Sequence, residues 1–250
     1  MEALLKRVIR LFRRNSFDDV YSSLLAEYGV DLGQLKSAQD VADATHAVIE
    51  RATRDGTARG RDVAAELSYK LGLGYFVTGN LEQAAVALRQ TVTLGKTSSA
   101  PRVLGLAAAA AFGLADKLPV AGEKGLELCY EAMELGERSA TPLGLSAAAG
   151  GASGVAVSLK HHDMEGAKRA WRRAEELGRR SGTPEGLETA AMCAVSLGIA
   201  LESERAKLEA EEWYQRAIDL GLKSRTGGGK TWARGAKALL DGLRHQGMLP

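Results

Sequence analysis

Few side chains in this chain have the type and spacing that chemistry requires. The stretch Thr226-Gly227-Gly228-Gly229-Lys230-Thr231 comes nearest to a phosphate-binding loop, which wraps anionic oxygens in backbone N–H groups. Such a loop needs a glycine five residues before its Gly-Lys pair, where Ser224 stands, and a strand leading in, where a helical pattern ends. The segment therefore reads as a turn between helices, whose N–H groups can face an anion only as any helix start does. His161, His162 and Asp163 are consecutive, so their side chains diverge, whereas a zinc site converges three or four ligands. They read as a solvated turn, and His46 and His245 stand alone. Cys129 and Cys193 lie far apart in apolar surroundings and read as small core residues of a reducing compartment. Glu209, Glu211 and Glu212, beside Arg205 and Lys207, read as charge pairs on a helix surface. No Gly-x-Ser-x-Gly, His-Glu-x-x-His or Cys-x-x-Cys occurs, and no convergent polar set suggests a catalytic pocket. The expectation is a protein that is not an enzyme and needs no metal or cofactor.

Two basic sets have regular spacing. Lys230, Arg234, Lys237 and Arg244, at steps of four, three and seven, make a stripe on a last helix. Lys6, Arg7, Arg10, Arg13 and Arg14 lie opposite Leu4, Leu5, Val8, Ile9, Leu11 and Phe12 on a first helix. Near an anionic membrane each cation adds about 1 kcal/mol of attraction, and an apolar face adds to it. The plainer reading packs the first helix on its neighbour and leaves both stripes in water. A formal net charge of +2 gives no bulk reason to expect nucleic acid or a membrane.

The elements that would position these groups are helices. With 250 residues, 45% hydrophobic and 26% charged, the chain is long and apolar enough for a large core. No apolar run reaches the roughly 20 residues of a membrane span, and the basic N-terminus has no small-residue cleavage site, so the cytoplasm is expected. Four segments end alike, at Leu94-Gly95, Leu135-Gly136, Leu177-Gly178 and Leu220-Gly221, with the glycines 41, 42 and 43 residues apart. A fixed period in the range of roughly 20–50 residues marks a solenoid or array. Upstream lie Ala84/Leu88/Thr91, Gly125/Cys129/Ala132, Ala167/Trp171/Ala174 and Ala210/Tyr214/Ala217, one face of a helix in each repeat. The glycine after each leucine is expected to take positive φ and end the helix, and Thr141-Pro142 and Thr183-Pro184 to start the next as N-cap and N1. The predicted layout is N-terminal helices over 1–56, four hairpins over 57–228 (57–95, 101–137, 142–179 and 184–222) and a capping helix over 229–250. Ser-x-x-Asp boxes at Ser16 and Ser37 open helices near 17–28 and 38–54.

Leu71-Gly72-Leu73-Gly74-Tyr75 and the turn Gly79-Asn80 leading to Ala84, together with Glu212-Trp213-Tyr214-Gln215-Arg216-Ala217-Ile218, resemble the tetratricopeptide repeat family over about residues 57–250. The period here is longer than that family's usual ~34 residues, which makes this a long-helix variant. The resemblance implies an all-α, right-handed α-α superhelix that binds another protein, a second copy of itself among the candidates, through a helix or peptide held in a concave groove. It also implies that first helices line the groove: Tyr69, Leu73 and Phe76, then Ala110 and Leu114, then Ala152 and Ala156, then Met192, Val195 and Ile199. Two further functions are compatible with the pattern: a sensor holding a small ligand between repeats, and a binder of membrane or RNA surfaces through the basic helices.

Overall fold

The computed structural model describes residues 17–35, 37–117 and 122–246, and among these it contains helices and no strand. In order they are α1 (Phe17–Glu27), a 3-10 turn (Leu32–Gln34), α2 (Ala38–Arg54), α3 (Ala58–Val77), α4 (Leu81–Lys96), α5 (Pro101–Lys117), α6 (Glu123–Ser139), α7 (Pro142–Leu159), α8 (Met164–Ser181), α9 (Pro184–Ser203), α10 (Lys207–Ser224) and α11 (Gly227–Gln246). The basic set before residue 15 and the Ser16 box lie outside the described residues. The Ser37 box forms: Ser37 Oγ accepts from the Asp40 N–H at 3.0 Å, and Asp40 Oδ2 accepts from the Ser37 N–H at 2.9 Å.

From α3 onward each helix packs on its sequence neighbours, and α3, α5, α7, α9 and α11 also pack on one another. The second helices α4, α6, α8 and α10 have no comparable backbone contact with each other. The first helices are thus a close-packed inner row, and the second helices fan outward. This is an all-α helical-repeat solenoid.

One device starts four of the five first helices. Thr57, Thr141, Thr183 and Thr226 accept, through Oγ1, the N–H of the glycine three residues on, at 2.8–3.2 Å. At the last three, a serine two residues earlier (Ser139, Ser181, Ser224) donates to the carbonyl of Gly136, Gly178 or Gly221 and accepts from the threonine N–H. Each cap stabilises its helix by about 1 kcal/mol.

The glycines after each leucine do something other than expected. Gly95, Gly136, Gly178 and Gly221 all lie inside helices, without positive φ. A Cβ on Gly136, Gly178 or Gly221 would land on the carbonyl oxygen of Gly144, Gly186 or Gly229, and one on Gly95 would land on Ala107. These residues let the end of a second helix touch the start of the next first helix. The helices end later, with left-handed caps at Ala140 (φ 50°), Gly182 (φ 65°) and Arg225 (φ 59°).

The inner row is built from small residues. On α7, Ala147, Ala148, Ala149, Gly150, Gly151 and Ala152 are all buried, and Gly150 faces the Phe112 ring of α5. Pro142–Leu159 and Pro184–Ser203 are as long and apolar as a short membrane span, but more than half of each is already buried between hairpins.

The splayed second helices are tied by long side chains. Lys96 pairs with Glu131. Arg173 holds Glu137 with two donors, at 3.0 and 2.5 Å. At the next joint Glu175 sits between Arg179 and Arg216, at 3.8 and 3.9 Å. On the inner row Arg102 meets Glu66 at 3.1 Å, and Ser98 donates to Asp62 at 2.7 Å.

Candidate interaction surface

The close approach of the first helices decides which of the expected groove residues are available. Tyr69, Ala110, Leu114, Ala152, Ala156 and Val195 are buried, the four middle ones to 0% exposure. They belong to the core shared by adjacent hairpins, so the groove does not extend across α5 and α7. Ala and Gly at almost every turn let those two helices close on each other and on their neighbours. Leu73 (37% exposed), Phe76, Met192 and Ile199 (49% exposed) keep open surface, on α3 and α9.

Exposed apolar residues gather elsewhere. Among the described residues, eleven large hydrophobic side chains are exposed. Seven of them, Leu73, Val77, Leu81, Val157, Met164, Ile199 and Leu208, flank the turns inside hairpins. Because the hairpins stack in one sense, these turns share one edge of the solenoid. The spacing of 41 to 43 residues predicts this edge only when the phase of each hairpin is known to within a residue or two.

The polar candidates are spent on structure. His161 and His162 are exposed on the turn before α8, and Asp163 Oδ1 accepts from the Gly166 N–H at 2.8 Å as the helix cap. Ser224, Thr226 and Gly229 form the same start device as in two earlier repeats, which accounts for the glycine-rich stretch. Glu211 reaches across to Arg244 of α11 at 3.6 Å instead of pairing along its own helix. Lys230, Arg234 and Lys237 are exposed and form no ion pair among the described residues.

Both cysteines are buried thiols. Burial pushes Cys193 up to about 12 and raises Cys129, so neither is poised as a thiolate. Sequence reasoning missed the buried acids. Glu66 and Glu175 each have one buried carboxylate oxygen met only by arginine ion pairs without hydrogen-bond geometry, and burial raises both carboxyls above the usual range despite those arginines. Lys168, also buried, holds Glu165 and both oxygens of Glu204 (2.8 Å each), pinning α8 to the end of α9, and these hydrogen bonds raise its pKa. Tyr214, fully buried, donates to Glu202 at 2.7 Å. Among the described residues no three His, Cys, Asp or Glu side chains converge. A concavity of about 500 Å³ between α1 and the 3-10 turn is broadly open to solvent, and its one carboxylate, Asp31, caps that turn.

Fold and surface together define a helical-repeat solenoid with an apolar edge and a basic end. No family model matches the chain, and no curated protein does. Solved structures titled "DHF58 filament" and "DHF119 filament" align with 98% of this chain and with 96% and 97% of theirs, at 19% identity and a TM-score of 0.22. A score that low assigns neither family nor architecture.

Proposed function

We propose that this chain is a non-catalytic protein-interaction scaffold of the tetratricopeptide type, holding the apolar face of a partner helix or peptide along the edge formed by its intra-hairpin turns. The observation that carries this reading is the clustering of Leu73, Val77, Leu81, Val157, Met164, Ile199 and Leu208 on that edge. These side chains recur at the turns of the first, third and fourth hairpins, and exposed apolar groups repeated on one edge mark a binding surface. Phe76 and Met192 extend that surface inward beside α3 and α9. An amphipathic helix laid across the turns would bury its apolar stripe there. Buried free thiols agree with action in a reducing compartment such as the cytoplasm.

The test is co-purification of partners from native cells with the unaltered chain and with a Leu73→Asp/Val157→Asp/Ile199→Asp variant. All three side chains are exposed, so each change alters stability by no more than about 0.5 kcal/mol. The reading expects a partner that is retained by the first and lost by the second. Partners captured equally by both chains would refute it.

A further inference from the structure

The last helix is a hairpin half whose partner-facing side carries charge. α11 starts on the same Thr-x-x-Gly device as α7 and α9, so the three can be aligned from Gly144, Gly186 and Gly229. In that register Lys230, Arg234, Lys237 and Arg244 stand where α9 has Leu187, Ala191, Ala194 and Leu201, and where α7 has Leu145, Ala149, Ala152 and Leu159. On α9, Ala191 and Ala194 are fully buried and Leu201 nearly so. The side of α11 that bears the cations is therefore a helix-docking side by geometry and a basic one by chemistry. Arg244 is held by Glu211, while the other three cations have no acidic partner among the described residues.

A matching surface exists on the same chain. Glu123, Glu127, Tyr130 and Glu134 of α6 are all exposed, at steps of four, three and four, and Lys230, Arg234 and Lys237 share the first two of these steps. Glu123 and Glu127 form no ion pair among the described residues, and Glu134 touches only Arg138 of its own helix, at 3.4 Å. Tyr130, half exposed, offers an aromatic face to a cation. α6 carries five glutamates against Lys124 and Arg138, a net −3, and α11 carries two lysines and two arginines against Asp241, a net +3. The formal charge of +2 thus conceals two stripes of opposite sign.

We propose that α11 of one copy docks on α6 of a second copy, lysine and arginine against glutamate, with the Tyr130 ring between them. The two surfaces differ, so the contact is heterologous and leaves an unused α6 and an unused α11 at the ends of each pair. It grows into a ring or an open series. This contact does not involve the apolar edge, so it stands or falls apart from the function proposed above.

Sedimentation of the full chain across a concentration series tests the proposal, at about 0.01 M salt, where charges act over about 30 Å, and at about 1 M, where they act over about 3 Å. The expected result is an average mass at least twice 26.5 kDa in low salt, falling to that of one chain in high salt. Lys230→Glu/Arg234→Glu/Lys237→Glu makes both stripes acidic, and Glu123→Lys/Glu127→Lys/Glu134→Lys makes both basic. Each variant alone is expected to stay monomeric, and an equal mixture to associate again. All six positions are exposed, so circular dichroism is expected to show unchanged helices. A chain monomeric at every concentration in low salt, variants that still associate alone, or a mixture that stays monomeric would each overturn the proposal. So would low-salt binding of an RNA oligonucleotide or anionic vesicles by a chain that does not self-associate.

Discussion

α9 and α11 begin alike and face opposite fates. Both start with a threonine cap bonded to a glycine three residues on, and both lay an alanine-rich side against the preceding hairpin. They diverge on the other side, where α9 has Leu187, Ala191, Ala194 and Leu201 under α10, and α11 has Lys230, Arg234, Lys237 and Arg244 in water. Local start signals therefore set the phase of a repeat, and the residues on its second contact side set what that side can receive. A guanidinium in the α9 position would have to lose its hydration inside an apolar contact.

The largest expected effect comes from exchanging these two characters. Ala191→Arg places a cation at a fully buried position and is expected to cost about 3–5 kcal/mol, enough to unfold a domain of ordinary stability. Arg234→Ala, its register twin, is expected to change stability by no more than about 0.5 kcal/mol. Urea melts followed by helical circular dichroism read both. An Ala191→Arg chain as stable as its twin would break the alignment of α9 with α11.

A smaller effect separates the second helices. Three residues before the repeat glycine, α4, α6 and α10 have Val92, Met133 and Ile218, while α8 has the buried Glu175. Burial raises its carboxyl above the usual carboxylate value, more than Arg216 and Arg179 lower it. Ionisation is therefore less favourable in the folded chain than in the unfolded one. The resulting loss of stability is full above the raised folded value and fades as the pH falls through it toward the unfolded value. Glu175→Met is expected to stabilise the chain by about 1 kcal/mol at pH 7 and by less as the pH approaches 4.5. Denaturation midpoints at several pH values check the sign, and a gain that grows toward acid would contradict it.

The repeat phase was legible because it rests on local chemistry: caps at Thr141 and Thr183, prolines behind them, and a Leu-Gly every 41 to 43 residues. The role of the Leu-Gly glycine was not. A helix-ending glycine and a close-packing glycine look alike until the serine three residues later is seen to bond back to its carbonyl. Of the expected groove residues, only Leu73, Phe76, Met192 and Ile199 keep open surface. Whether an alanine on a first helix faces solvent or a neighbour depends on how closely adjacent hairpins approach, and that distance is set by three helices at once. Gly150 and Gly151 carried the signal, since glycine in a helix interior costs about 1 kcal/mol against alanine and is offset here by close packing.

The smallest effect sharpens the comparison at the joints between hairpins. Three successive second helices end in the left-handed conformation, on Ala140, Gly182 and Arg225. Only the middle joint has the residue that adopts it without steric strain. A side chain there costs about 1–2 kcal/mol, against which glycine loses about 0.5–1 kcal/mol more chain entropy on folding. Ala140→Gly and Arg225→Gly are therefore expected to stabilise by about 0.5 kcal/mol each, and Gly182→Ala to destabilise by a similar amount. All three positions are exposed, so few packing changes obscure the backbone term. Urea midpoints with unchanged slopes would report it. If Ala140→Gly lowers the midpoint instead, the alanine contributes to the joint something beyond its strained φ, and the three joints are not equivalent.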